Sequence, residues 1–404
     1  MNAILSHKWR TLLLLALAEL LGMATWFSAS AVVPALTTAW RLDEGGRAWL
    51  TMSVQIGFVV GAFGSAMLNL ADRIPARWLF TGSALMAGLA TALIPLLARG
   101  LGWALPLRFL TGLFLAGVYP VAMKIIATWT KEDRGLGIGL LVGGIAVGSA
   151  APHLFSAFGG IRDWQPVLYV AAASAALGGL VAAAFVTDGP YRSKTPPFNW
   201  KYVAEIWRER DLTLANLGYL GHMWELFSMW AWVPAFLLAA FDAAGLGQPW
   251  ASLASFGVVA AGGPGSLLAG QLADRWGRTT LTIVSLVISG LCSLGVGLLF
   301  GGSPLLLVAV CLIWGFAVVA DSAQFSACVS ELCQPEYVGT ALTVQTSLGF
   351  LLTVVTIRLL PTVERWVGWG WAFAILAIGP AVGTWAMAAL RRSPAVAKLA
   401  GGRG

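Results

Sequence analysis

Residues 20–35 read LLGMATWFSASAVVPA, and residues 220–235 read LGHMWELFSMWAWVPA. At a fixed offset of 200, Leu20, Met23, Phe27, Ser28, Ala31, Val33, Pro34 and Ala35 recur as Leu220, Met223, Phe227, Ser228, Ala231, Val233, Pro234 and Ala235. Further on, Leu70-Ala71-Asp72-Arg73 returns as Leu272-Ala273-Asp274-Arg275, now at an offset of 202. A repeat with this slight drift is what duplication of a six-helix unit leaves. Two similar bundles facing each other enclose a cavity near the bilayer midplane, and rocking one against the other opens it to alternate sides.

The rest of the chain reads as membrane helix. Of its 404 residues, 58% are hydrophobic and 11% charged, against about a quarter charged in soluble domains. Mean hydropathy is +0.79. These values exclude a water-soluble enzyme and a disordered chain. The net charge of +7 comes from scattered loop residues, not from the basic stripe that nucleic acid would need. The 48 glycines suit closely packed membrane helices. Cys292, Cys311, Cys328 and Cys333 lie in or beside apolar runs, with spacing that fits neither a zinc site nor a disulfide framework. No metal and no cofactor are expected.

Runs long enough to span a bilayer lie at about 11–39, 48–70, 77–98, 101–129, 135–158 and 164–186, then at about 211–240, 248–273, 279–300, 303–330, 337–361 and 367–390. The first is too long for a signal-peptide core. Between the sets lies a polar linker with Pro190, Pro196, Pro197 and a mixed-charge run from Lys201 to Asp211. The expected layout is an all-α membrane protein of twelve transmembrane helices in two pseudo-symmetric bundles: residues 1–186, a linker at 187–210, and residues 211–404. Lys8, Arg10, Arg73, Arg77, Lys131, Arg134, Arg275, Arg278, Arg391 and Arg392, with the linker cations, fall at one set of ends; only Arg41, Arg47, Arg99, Arg162 and Arg365 fall at the other. The positive-inside rule therefore predicts that both termini and the linker are cytoplasmic, in a plasma membrane or, in a Gram-negative cell, the inner membrane.

The loop Gly270-Gln271-Leu272-Ala273-Asp274-Arg275-Trp276-Gly277-Arg278 has a counterpart running from Gly64 through Asp72 and Arg73 to Arg77. Glycine lets two helix ends approach, and the aspartate can sit at a helix N-terminus or pair with an arginine across the bundle interface, as a gate. The pattern resembles the signature loop of the major facilitator superfamily. The first copy departs from it, with Pro75 in place of the usual glycine and a longer Gly-to-Asp spacing. Arg108-Phe109-Leu110-Thr111-Gly112, followed by Gly117, is similar to the family's fourth-helix motif, and Glu132-Asp133-Arg134-Gly135 opens the fifth helix as in many members. The resemblance covers residues 8–392 and implies a twelve-helix secondary transporter. The fifth helix, with Pro152 displaced from the Gly-Pro pair of drug–proton antiporters, looks somewhat like that of the nitrate, nitrite and cyanate permease branch.

Ionisable residues inside membrane helices are functional candidates by default. Glu19 lies about 14 Å in from the cytoplasmic end of the first helix, and Arg108 about 10 Å in from the outer end of the fourth. In a core about 30 Å thick the two can meet, as a coupling pair that an anionic cargo would part. His222 and Glu225, three apart in the seventh helix, share one face and form a second proton-binding candidate. Asp321, mid-helix in the tenth span, reads as a further proton site or as the partner of Arg358. Arg358 and His153 stand at similar heights and read as an outer ring that attracts anions. Lys124 points away from Arg108 and reads as reaching the cytoplasmic surface. Of the 20 tryptophans, Trp40, Trp49, Trp103, Trp129, Trp164 and Trp369 fall at span ends as an interfacial belt. Trp26, Trp224, Trp230 and Trp232 are deeper and able to stack on cargo. Gln55, Gln324 and Gln345 are uncharged ligand candidates.

The sequence holds no Gly-x-x-x-x-Gly-Lys-Ser/Thr stretch, so energy is expected from a gradient. The reading is a monomeric, proton-coupled carrier of a small organic solute, anionic on the strength of Arg108 and Arg358, and not an enzyme. The alternative is efflux of drug-like or cationic compounds by proton exchange, supported by the deep tryptophans and the acids.

Overall fold

The computed structural model describes residues 2–130, 134–159, 163–191 and 198–404, with the side chains of 2–6, 134, 159 and 274 outside the description. Glu132 and Asp133 therefore lie outside the described residues. In hydrocarbon every backbone N–H and C=O must be satisfied within the chain, so the apolar runs fold as helices. Among the described residues, eleven of them are long and apolar enough to cross a membrane, from Glu44–Met67 to Trp369–Arg391. A twelfth, Asn2–Met23, precedes them. Local signals mark the ends. Asp43 caps the second helix by accepting from the Gly46 N–H at 2.7 Å. Gly277 and Gly368, at φ +85° and +68°, turn the chain between spans eight and nine and between eleven and twelve.

The duplication is visible in the packing. The fourth span breaks between Leu101–Leu115 and Tyr119–Trp129, and the tenth between Pro304–Ala320 and Ser322–Leu332. Gly112 of the fourth lies on the Val54 carbonyl of the second, and Gly315 of the tenth on the Val258 carbonyl of the eighth; a Cβ at either position would overlap that carbonyl. The first and seventh helices, however, differ despite their shared sequence. The first leaves helical geometry after Met23, turns over 24–29, and resumes through Ser30–Val32 and Val33–Trp40. The seventh runs unbroken through Arg210–Ala243, with Pro234 inside.

Both termini and the linker lie at one end. His7 packs edge-on against Trp129, Asn199 N–H donates to Thr340 Oγ1 at 3.1 Å, and the Gly404 carbonyl accepts from Thr279 N–H at 3.1 Å. The bundles meet along helices two and eleven and along five and eight. In the terminus-bearing half the fifth and eighth backbones touch. A Cβ would stand 2.8 Å from the Ser266 carbonyl at Gly139, 3.2 Å from the Gly263 carbonyl at Gly143, and 2.6 Å from the Gly135 carbonyl at Gly270. This end is shut. Gly270 thus serves the close approach expected of its motif. Gly64 does not, since a Cβ there would meet open space.

Candidate functional site

Toward the end opposite the termini the bundles part around a cavity of about 490 Å3. One wall belongs to the N-terminal bundle and presents Arg47 and His153; the other belongs to the C-terminal bundle and presents Asp242 and Glu364, with Trp232 and Trp369 beside them. Arg47 Nε has no protein partner. Trp232 is held by its Nε1–H, which donates to the Ile357 carbonyl at 3.0 Å. At the rim, Arg365 Nε stands 3.0 Å from Glu44 Oε2 and ties the eleventh helix to the second, one bundle to the other.

About one turn deeper on the same helices, the cavity gives way to aromatic packing contributed by both bundles. Trp26 meets Phe58 and Phe227 at ring-centre distances of 5.1 and 5.7 Å. Phe350 meets Phe58 at 4.5 Å and Phe227 at 4.9 Å, and Phe27 meets Trp230 at 5.9 Å. These rings close the path between the cavity and the shut end. Trp26 is thus in the seal. Trp224 is not on the cavity: its Nε1–H donates to the Ile375 carbonyl of the last span at 3.1 Å.

The expected Glu19–Arg108 pair does not form. Arg108 is fully buried, and its donors are taken by the unwound turn of the first helix: Nη1 donates to the Thr25 carbonyl at 2.8 Å and to Ser28 Oγ at 3.2 Å, Nη2 to the Trp26 carbonyl, and Nε to the Leu50 carbonyl at 3.2 Å. Unwinding frees backbone carbonyls beside the guanidinium, and these compete better than a carboxylate further along the helix. Both Glu19 carboxyl oxygens are buried without a partner. In the C-terminal bundle the donor again lies on the later of the equivalent helices, Trp314 on the tenth. There the acceptor is a side chain, Glu225, which takes bonds from Ser289 Oγ and Trp314 Nε1, each at 2.8 Å.

Glu225 therefore faces the ninth and tenth helices inside its own bundle and not the cavity. It does not bond His222. His222 Nδ1 lies 2.8 Å from Asp321 Oδ1, a contact of two fully buried groups, and His222 Nε2 has no partner. Asp321 thus meets His222 and not Arg358, which lies on an exposed face of the eleventh helix. Of the expected outer ring, His153 lines the cavity and Arg358 does not, so the two do not form one ring. Gln55 is buried with both amide atoms unpartnered. Gln345 Oε1 accepts from Ser326 Oγ at 3.4 Å. Gln324 Oε1 accepts from Arg278 Nη1 at 2.7 Å, at the shut end.

Among the described residues, the pairs made by Asp72 with Lys124 and by Arg278 with Glu331 lie within their own bundles. Asp72 Oδ1 is 2.5 Å from Lys124 Nζ, which also donates to the Ala71 carbonyl at 2.6 Å, so Lys124 is a partner and not a free surface cation. Arg278 holds Glu331 bidentately at 2.9 and 2.6 Å, and Glu331 Oε2 also accepts from the Ala400 N–H at 3.0 Å. Arg73, Arg77 and Arg275 are exposed, and the Asp274 side chain lies outside the described residues. Sequence reasoning missed Arg47, Asp242, Glu364 and Glu331. Arg47, placed among loop charges, in fact sits one turn inside the helix that Asp43 caps. That cap was the signal available in the sequence.

The sequence pattern of the Major Facilitator Superfamily matches residues 15–357. Among curated proteins, the chain is 26% identical over 273 residues to a putative niacin/nicotinamide transporter, NiaP, of Bacillus subtilis, covering 64% of each. It is 32% identical over 126 residues to the 4-hydroxybenzoate transporter PcaK of Pseudomonas putida, covering 31% of this chain and 28% of that one. The matches thus span less than two thirds of these relatives' lengths. Among solved structures, a mutant of the nucleoside transporter NupG superposes with a TM-score of 0.70 at 15% identity, covering 94% of this chain and 99% of that one. That likeness concerns the fold.

Proposed function

This chain belongs to the major facilitator superfamily, and from that premise we propose that it carries a small aromatic carboxylate across the membrane, coupled to protons, by alternating access of one cavity. The observation that carries the substrate class is the guanidinium of Arg47, with no hydrogen bond or ion pair to the described residues, on the wall of a cavity flanked by Trp232 and Trp369. A guanidinium holds a carboxylate by paired N–H donors, and indole faces hold a ring. The relatives are named for niacin or nicotinamide and for 4-hydroxybenzoate, of which niacin and 4-hydroxybenzoate are aromatic carboxylates.

Alternating access is supported by the asymmetry of the two ends. The fifth and eighth backbones touch in the terminus-bearing half, the aromatic rings seal the middle, and the far half is open. Residues 1–186 and 211–404 would rock against each other about that seal, with 187–210 as the tether. The Lys and Arg bias supports the terminus-bearing end as the cytoplasmic face of a plasma membrane, so this state faces outward. For the proton we assign Glu19. Both its carboxyl oxygens are buried without a hydrogen-bond partner, so no hydrogen bond in this state holds its charge in hydrocarbon. The change of state must bring it to water or to a partner.

Liposomes holding the purified protein and a pH-sensitive dye test this reading. Addition of benzoate or pyridine-3-carboxylate outside should make the outside more alkaline as solute and proton enter together. Proton release from acid-loaded vesicles on adding lipophilic cations, with no response to the acids, would replace it by drug–proton exchange.

A further inference from the structure

The cavity is electrically divided between the bundles. Its N-terminal wall carries Arg47 and His153, and its C-terminal wall carries Asp242 and Glu364. We propose that the solute is dipolar: an aromatic ring with a carboxylate at one end and a cationic or N–H-bearing nitrogen at the other, the carboxylate held by Arg47 and the nitrogen facing Asp242 and Glu364. This inference rests on the carboxylate-carrier reading and narrows it.

Three observations carry it. Arg47 lines the cavity and its guanidinium makes no hydrogen bond or ion pair to the described residues, so its wall has donors to spare. The two carboxylates come from the end of the seventh helix and the end of the eleventh, so they converge on the cavity from separate elements of one bundle. Trp232 and Trp369 belong to that same bundle and give a ring an aromatic surface to lie on. A cavity of about 490 Å3 is of the size that holds small solutes, and water can complete contacts that the solute does not reach.

The division also gives binding a mechanical consequence. A solute with one charge contacts one wall and is indifferent to the separation of the walls. A dipolar solute contacts both, and its contacts improve as the walls approach. A ligand shifts a conformational equilibrium only by its differential affinity for the two states. The dipolar solute therefore favours closure of the open end, which the Glu44–Arg365 pair at the rim already bridges on one side.

Three probes of like shape separate the possibilities: N-methylpyridinium-3-carboxylate, a permanent zwitterion; N-methylpyridinium-3-carboxamide, a cation; and benzoate, an anion. Binding to the full-length protein in detergent is measured by calorimetry, and flux by counterflow in liposomes. The zwitterion should bind about tenfold more tightly than either singly charged probe, the effect of one partly exposed charge contact. Arg47→Gln should lower affinity for the zwitterion and for benzoate while leaving the cation unchanged. Asp242→Asn with Glu364→Gln should lower affinity for the zwitterion and the cation while leaving benzoate unchanged. Benzoate binding the unmodified protein as tightly as the zwitterion overturns the dipolar inference and leaves the carboxylate carrier standing. Binding and counterflow of the cation alone overturn both.

Discussion

Replacing Arg108 by methionine separates a structural arginine from a substrate ligand. The change keeps much of the apolar stem and removes every donor. The Trp26 carbonyl loses its donor, while the Thr25 carbonyl keeps the Ser28 Oγ bond at 2.9 Å and the Leu50 carbonyl, inside the second helix, keeps its helical N–H. Hydrogen bonds between membrane helices average about 0.6 kcal/mol, which sets a floor of about 2.4 kcal/mol for four. Leaving a buried acceptor unsatisfied costs about 1–3 kcal/mol, so the Trp26 carbonyl, with about 0.6 kcal/mol for each of the other three bonds, sets a ceiling near 5 kcal/mol. The unwound turn at 24–29 can recover part of this by winding back into helix, so the expected loss is near the floor, about 3 kcal/mol, or about 150-fold in the unfolding equilibrium. Equilibrium unfolding in mixed detergent and sodium dodecyl sulfate micelles, followed by tryptophan fluorescence, measures it, and calorimetry with N-methylpyridinium-3-carboxylate runs alongside. Arg108→Lys, with a single ammonium in place of the fork, should recover only part of the stability. A variant as stable as the parent that has lost binding would refute the argument and make Arg108 a solute ligand.

Glu19→Gln should abolish proton-driven accumulation in liposomes while leaving counterflow intact; accumulation equal to the parent's would remove Glu19 from the mechanism. Gly143→Leu sets a side chain where a Cβ already stands 3.2 Å from the Gly263 carbonyl, so it should hold the terminus-bearing end apart. A cysteine introduced at Ser266 should then react with a water-soluble maleimide at least several-fold faster, and an unchanged rate would count against glycine contact as the closure. Phe350→Ala removes the ring that meets Trp26, Phe58 and Phe227, and should raise solute-independent proton leak in vesicles. Glu331→Gln replaces the carboxylate that Arg278 holds bidentately by a neutral amide with one acceptor; a destabilisation of about 1 kcal/mol in the same unfolding assay is expected, and none would make the pair incidental.

Several site residues were legible because their signals are local. An ionisable group in an apolar run announces itself wherever the run goes, and Glu19, Arg108, His153, His222, Glu225 and Asp321 are all buried as such groups should be. Their partners were not legible. Helical spacing puts His222 and Glu225 on neighbouring turns of one helix, but which neighbours face those turns is set by how the bundle packs. His222 meets Asp321, and Glu225 meets Ser289 and Trp314. Arg358 was misjudged for the same reason: depth along a helix is a sequence quantity, whereas the direction in which it faces is not. Arg47, Asp242 and Glu364 escaped because they stand at helix ends, where a charge on a cavity wall and a charge in a loop read alike.

What the sequence determined by itself is the set of spans, their duplication and the family, because hydrophobic length and repetition follow from the order of residues alone. Tertiary structure decided where the repeat breaks. Residues 20–35 and 220–235 share eight positions, yet the first helix unwinds at 24–29 and the seventh does not. The difference lies in a neighbour. The fourth helix supplies the Arg108 guanidinium to take up freed carbonyls, whereas the corresponding place on the tenth, at the 203-residue offset that relates Gly112 to Gly315, holds the small buried thiol of Cys311. Backbone can leave a helix inside a membrane only where something else satisfies it, and in this chain that something lies more than eighty residues away in sequence, across a packed interface.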